Sequence, residues 1–218
     1  MTDTMRGSGA LSPRYEAALA LAANIHHDQR RKGTDVAYLS HVMSVSSLVL
    51  EDGGSEDEAI AALLHDAVED GNAGDKERVA RFGPEVLAIV EACSDDEPEG
   101  GDKKPWRFRK ARYVKHLLDP SASVGAVRVT GADKLHNARC IVDDLRIDGA
   151  LPKFNACKHQ TLWYYATVSS AVTARLPERS RIAINLDVVV DEMCAALGEP
   201  RPAPSPEVPV CDCENAAA

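Results

Sequence analysis

Between Ala59 and Asp70 an apolar helix ends in one imidazole and three carboxylates, His65, Asp66, Glu69 and Asp70. Ile60, Leu63, Leu64 and Ala67 form one helical stripe, and the opposite face holds Ala59 and Ala62 rather than charge. A helix apolar on all sides is a buried helix. Carboxylates in its last turn oppose the helix dipole, whose C-terminal end prefers cations. Burying ionised groups without compensation costs several kcal/mol or more. A positive partner is therefore expected at this end, and a divalent metal ion is the simplest. His65 with Glu69, and Asp66 with Asp70, are i,i+4 pairs on adjoining stripes.

Two further segments carry matching chemistry. In Gly131 to Arg139, Leu135, Ala138, Val142 and Leu145 make a core stripe, while Asp133 and Asn137 share the other face behind apolar Ala126 and Val129. His41 follows Tyr38-Leu39-Ser40 at the start of a second helix. Two imidazoles and two carboxylates suit Mn²⁺, Fe²⁺ or Zn²⁺, with water completing the shell. Ahead of His41 the turn Arg30-Arg31-Lys32-Gly33-Thr34-Asp35 is cationic, able to bind phosphates or stack on a base.

Taken singly, each group has a plainer reading. The acidic helix end is a solvated terminus, His41 a hydrogen-bonded structural histidine, and Asp133 and Asn137 bond neighbouring backbone. Arg31 and Lys32 are then a solvated turn, and Lys110 is part of a charged face with Arg107, Arg109 and Arg112. His26, His27, His116 and His159 belong to no such constellation; His136, three residues beyond Asp133, would support the ligands from behind.

The elements that must hold these groups are helices, because helical periodicity dominates and strand alternation is scarce. Ser12-Pro13 opens a helix to about His27, and a second runs from Tyr38 to Glu51, stopped by Gly53-Gly54. Ser55 and Glu58 form a capping box for the helix ending at Asp70. After a loop over Gly71–Asp75 come a short helix, one from Gly83-Pro84 to Cys93, an acidic loop over Ser94–Lys104, and a basic helix from Pro105 to Leu118. Long helices are expected over 123–147, 155–176 and 179–197. Residues 1–10 are expected to be a flexible terminus, 11–198 one domain, and 199–218 a disordered Pro- and Ala-rich tail.

The formal charge of −9 argues against broad nucleic-acid binding, though not against a small anion held by local cations. No run reaches the roughly 18 apolar residues of a membrane span, and the N-terminus lacks a secretory apolar stretch, so a soluble cytoplasmic protein is expected. Of the six cysteines, those at 93, 140, 157 and 194 read as small core residues of a reduced protein. Cys211-Asp212-Cys213 is either an inert part of the tail or a weak metal or redox pair.

The order His41, His65-Asp66, Asp133 resembles the metal signature of the HD phosphohydrolase superfamily. More narrowly, Arg31-Lys32-Gly33 to His41, Ala62 to Asp70 and Ala132 to Arg139 resemble the hydrolase domain of RelA/SpoT proteins. The likeness runs from about Tyr15 to Ala174 without a synthetase domain, as in stand-alone small alarmone hydrolases. It implies an all-α, compact multi-helix HD-domain bundle with a mononuclear metal site between helices. By matching position, His41, His65, Asp66 and Asp133 would ligate the metal, Mn²⁺ with Zn²⁺ or Fe²⁺ as alternatives. Glu69 and Asp70 would orient or deprotonate the attacking water. Arg31 and Lys32 match residues near guanine and phosphates, Asn137 a nucleoside contact, Lys110 a phosphate-side lysine and Tyr164 an aromatic substrate contact. The implied reaction releases the 3′-pyrophosphate of ppGpp or pppGpp to leave GDP or GTP. An HD phosphohydrolase acting on NADPH or a nucleoside monophosphate, and a non-catalytic nucleotide-binding regulator, are the competing classes.

Overall fold

Helix Glu56–Leu64 is buried on every side along Ala59 to Leu64, as its all-round apolar sequence requires. A computed structural model describes residues 10–70, 74–94, 104–149 and 156–209, with the backbone but not the side chain of Asp70. The described residues form ten helices: α1 (Pro13–Ile25), α2 (Leu39–Glu51), α3 (Glu56–Leu64), α4 (Ala67–Asp70) and α5 (Asp75–Ala80), then α6 (Pro84–Cys93), α7 (Trp106–Leu118), α8 (Val124–Asp148), α9 (Lys158–Arg175) and α10 (Arg181–Ala196). They contain no β-ladder; one isolated antiparallel bridge, Arg30 to Ala37, closes the cationic turn between α1 and α2. The fold is all-α, as the periodicity implies.

The helix starts follow from short polar caps. Ser12 Oγ accepts from Arg14 N at 3.2 Å with Pro13 opening α1. At α3, Ser55 Oγ accepts from Glu58 N and Glu58 Oε2 accepts from Ser55 N, the capping box expected there. Ser123 and Ser180 cap α8 and α10 in the same manner. Packed against α3 are α1, α2, α6 and α8, and α8 also meets α9 and α10. Arg128 of α8 binds Asp52 at 3.0 Å and Glu58, so one partly buried guanidinium fastens the ends of α2 and α3 to α8.

Gly131 sits where α8 passes closest to its neighbours. A Cβ there would lie 2.8 Å from Ile182 Cγ2 and 3.0 Å from Val172 Cγ1, closer than packed carbons tolerate. Gly131→Val is expected to destabilise the fold by about 3 kcal/mol through overpacking, read as a lower urea midpoint.

Three sequence expectations need correction. The helix expected to run unbroken to Asp70 ends at Leu64, and His65 and Asp66 occupy a turn before α4. An unbroken helix would give the Ala62 carbonyl to the amide of Asp66; here it receives the ring Nδ1–H of His65 at 2.9 Å. The break removes His65/Glu69 and Asp66/Asp70 from a single continuous helix face. Helix α9 starts at Lys158, after Cys157; the earlier start at Asn155 lies outside the described residues. Residues 199–209, expected in a disordered tail, lie along α9 and α10. Arg201 spans Asp187 (2.5 Å) and Asp191 (2.8 Å), and the Ser205 carbonyl accepts from buried Trp163 Nε1 at 3.0 Å. A buried indole N–H needs such an acceptor, which explains why this stretch is held. Cys211, Cys213, most of the 94–104 loop and residues 1–9 lie outside the described residues.

Candidate metal centre and substrate cleft

Three elements bring their polar groups to one point. His41 comes from the first turn of α2, His65 and Asp66 from the break after α3, and Asp133 from the middle of α8. His41, His65 and Asp133 are buried, and their ligating atoms lie within 4.8 Å of one another. Asp133 Oδ1 is 3.2 Å from His41 Nε2 and 3.8 Å from His65 Nε2. Asp66 Oδ2 is 3.0 Å from His65 Nε2 and 3.9 Å from His41 Nε2. Tyr38 OH donates to that same Asp66 oxygen at 2.5 Å, which fixes the carboxylate's orientation.

The tautomers follow from the hydrogen bonds. The Ala62 carbonyl can only accept, so His65 Nδ1 carries the proton and Nε2 presents a lone pair in the neutral ring. In that neutral form the buried Nε2 lone pair faces carboxylate oxygens, Asp66 Oδ2 at 3.0 Å and Asp133 Oδ1 at 3.8 Å, an expensive arrangement without a cation between them. His41 Nδ1 lies 2.9 Å from His136 Nδ1, so one ring must donate to the other. Burial first, then nearby His41 and Arg31, hold His136 down to about 4 and keep it neutral. If His136 is the acceptor, His41 Nε2 is left with a lone pair, the form a metal ligand needs; if His136 donates, His41 Nε2–H donates to Asp133 Oδ1 at 3.2 Å.

Burial opposes charge on every group, yet the cluster is ionised. Against burial, Asp66 and then Asp133 raise His65 to about 9. Also against burial, Lys134 and then His41 hold Asp133 well below the usual carboxylate range, and His65 does the same for Asp66. A proton on His65 Nε2 would balance the carboxylates of Asp66 and Asp133, and a divalent cation would do so in its place. Two imidazole nitrogens and two carboxylate oxygens form a donor set that fits Mn²⁺, Fe²⁺ or Zn²⁺.

Beside the cluster lies a cleft of about 630 Å³ whose walls carry Arg31, Lys32, Lys110 and Lys134 together with Tyr38, Tyr164 and Tyr165. Against these stand Asp143 and Asp144 on the same cleft, with Lys134 already paired to Asp133, so Arg31, Lys32 and Lys110 are the cations that would favour an anion there. Arg31 donates to Asn137 Oδ1 at 2.8 Å, and Asn137 Nδ2 donates to Asp133 Oδ1 at 2.5 Å, linking the cationic turn to the cluster. The Arg31 guanidinium lies 5.8 Å from the Tyr38 ring centroid. Lys110 lies over the faces of Tyr113 and Tyr164 at 5.5 and 5.3 Å. A similar concavity between α6 and α7 is lined by Lys104, Arg109 and Arg112 and contains none of the clustered residues.

Of the residues singled out from sequence, His41, His65, Asp66, Asp133, Asn137 and Arg31 are thus joined, and Lys32, Lys110 and Tyr164 line the adjoining cleft. Tyr164 is buried, a floor beneath lysines more than an exposed wall. Glu69 lies on α4 with an exposed side chain, and the side chain of Asp70 lies outside the described residues. Sequence reasoning missed the Tyr38 bond to Asp66 and the Lys134 contact with Asp133. Tyr38 stands three residues before His41 and Lys134 directly after Asp133, a proximity that could have drawn attention to both.

Residues 18–150 match the HD domain family. Guanosine-3′,5′-bis(diphosphate) 3′-pyrophosphohydrolase MESH1 of Xenopus tropicalis is 39% identical over 132 residues, covering 57% of this chain and 70% of that protein. Human MESH1 is 36% identical over 125 residues, covering 56% of this chain and 66% of its own. A solved structure described as a metazoan ortholog of SpoT that hydrolyzes ppGpp superposes with a TM-score of 0.66 at 28% identity, over 87% of this chain and 98% of that one. The family match spans more than half the chain and includes His41, His65, Asp66 and Asp133, so this chain belongs to the HD-domain family and is a relative of the MESH1 proteins.

Proposed function

We propose that this protein hydrolyses the 3′-pyrophosphate of guanosine tetra- or pentaphosphate, releasing pyrophosphate and GDP or GTP. The observation that carries the reading is the buried convergence of His41 Nε2, His65 Nε2 and the carboxylates of Asp66 and Asp133, beside a cleft with Arg31, Lys32 and Lys110 on its walls. The MESH1 relatives supply the substrate.

His41, His65, Asp66 and Asp133 would hold a divalent ion, Mn²⁺ in our reading. When bound, such an ion acidifies a water and screens charge on the phosphoryl group. Glu69 and Asp70, which follow the His-Asp pair on α4, would orient the attacking water and take its proton. Arg31 and Lys32 receive the guanine and phosphates at the mouth, and Asn137 contacts the nucleoside. Lys110 offsets the pyrophosphate charge that the carboxylates would otherwise repel, and Tyr164 supports it from below. The partner is a small guanine nucleotide in the cytoplasm, not a nucleic acid. Among the described residues no helix is long and apolar enough to cross a membrane.

Purified Mn²⁺-loaded protein is expected to release pyrophosphate from ppGpp, and Asp66→Ala to release none above background. Equal release by both proteins would rule out the metal mechanism. Intact ppGpp alongside dephosphorylated NADPH or nucleoside monophosphate would replace the alarmone by another HD substrate, and binding without turnover would make the protein a regulator. For Glu69→Ala the expected result is a retained ion with turnover reduced about a hundredfold or more, the scale of a lost general base. Loss of the ion on elemental analysis would move Glu69 into the ligand set.

A further inference from the structure

Lys134 follows Asp133 directly, and side chains one apart in a helix point about 100° away from each other. A helix alone therefore does not bring an ammonium back onto the preceding carboxylate, yet Lys134 Nζ contacts Asp133 Oδ2. The bend is supported from outside α8. Lys134 Nζ lies over the faces of Tyr113 of α7 and Tyr164 of α9, 5.8 Å from each ring centroid. Tyr113 is itself anchored, its hydroxyl 2.9 Å from Thr130 Oγ1 on α8.

The result is a division of labour between the two oxygens of Asp133. Oδ2 faces Lys134, while Oδ1 receives Asn137 Nδ2 at 2.5 Å and faces His41 Nε2 at 3.2 Å. Rotation of the carboxylate would exchange these environments or offer both oxygens at once, and the lysine opposes that rotation. We propose that Lys134 is a positioning residue for the metal centre, holding Asp133 by Oδ2 so that Oδ1 alone faces His41 and His65. The inference rests on reading the cluster as a metal site, and it holds whichever nucleotide the cleft accepts. The aromatic floor is part of the device, because it keeps the lysine folded over its neighbour instead of extended into the cleft.

The test is Mn²⁺ titration of chelator-stripped wild type, Lys134→Met, Lys134→Gln and Lys134→Arg without nucleotide, read by the spin resonance of free Mn²⁺. Met and Gln are expected to weaken Mn²⁺ binding about tenfold or more, the scale found for residues that orient a ligand. Arg, which keeps the charge and a donor, should recover most of the affinity. Lys134 also lines the cleft, so the deciding readout is Mn²⁺ affinity measured without nucleotide, which a lysine that only met the substrate would not move. Unchanged Mn²⁺ affinity in Met and Gln overturns the proposal, and so does a raised KM for ppGpp with normal affinity, which would place Lys134 on the substrate. Loss of folding in both Met and Gln while Arg folds assigns the residue to stability alone and overturns it too. A wild type that binds Mn²⁺ but leaves ppGpp intact refutes the proposed substrate and leaves this result readable.

Discussion

Asp133→Asn is expected to empty the metal centre and to lower turnover about a thousandfold or more, equivalent to roughly 4 kcal/mol of transition-state stabilisation. The substitution keeps the shape of the side chain and removes its charge. It also strands Lys134, whose side chain is only 15% exposed and whose Nζ contacts Asp133. Removing one partner of a buried pair costs about 3–5 kcal/mol, reduced somewhat here by that residual exposure. Lost activity could therefore reflect lost stability, and a second substitution separates the two. In Asp133→Asn/Lys134→Met the stray ammonium is gone, so the urea midpoint of metal-free protein should recover most of its loss. Activity and bound ion, measured by elemental analysis, should not recover. A double variant that regains turnover, or an Asp133→Asn protein that keeps its ion, would remove Asp133 from the ligand set.

The fold was legible where one periodicity ran uninterrupted. The stripe of α8 and the caps at Ser12 and Ser55 belong to local chemistry, so they can be read without knowing what packs against them. The break at His65 could not be read in this way. It depends on a ring nitrogen taking the Ala62 carbonyl, and nothing in the run Ala62-Leu63-Leu64-His65 distinguishes that from a continuing helix. The order along residues 199–209 was hidden for a related reason. Pro and Ala there predict little local structure, whereas the stretch is held by Asp187, Asp191 and Trp163, distant in sequence.

The site divides along the same line. His41, His65, Asp66 and Asp133 were visible because each interrupts an apolar surface with a group that burial penalises. Their convergence was not a matter of spacing, since residues 41, 65 and 133 meet only through the packing of α2 and α3 on α8. Lys134 carried no signal as a charged residue after an aspartate, because its role depends on Tyr113 and Tyr164 from two other helices. Tyr38 likewise acquires its role only once the turn of residues 30–37 brings its hydroxyl to Asp66.

Chelator-treated protein is expected to be most stable near pH 6.5 and to lose up to about 3 kcal/mol between pH 6.5 and 9. Burial opposes the His65 imidazolium, but Asp66 and then Asp133 raise it from 6.5 to about 9 in the folded protein. A raised value means that the folded state keeps a proton the unfolded chain has lost. The stabilisation is complete below 6.5 and disappears as pH rises through the folded value. On the acid side the signs reverse. Burial, then His41 and Arg31, lower His136 to about 4, and burial also lowers His41, so below 6.5 the unfolded chain binds protons that the folded one declines. Further down, Asp66 and Asp133, both held below their ordinary 3.8, lose their stabilising contribution as the medium protonates them. Saturating Mn²⁺ should abolish the alkaline decline, because holding the ion requires neutral His65 and the ion displaces that proton. Thermal midpoints across pH 5 to 9, with chelator and with Mn²⁺, measure both curves. His65→Gln should flatten the alkaline limb of the chelated protein. A chelated wild type whose midpoint stays level or rises between pH 6.5 and 9 would show that the carboxylates do not hold a proton on His65, and with it would go the argument that an ion replaces one there.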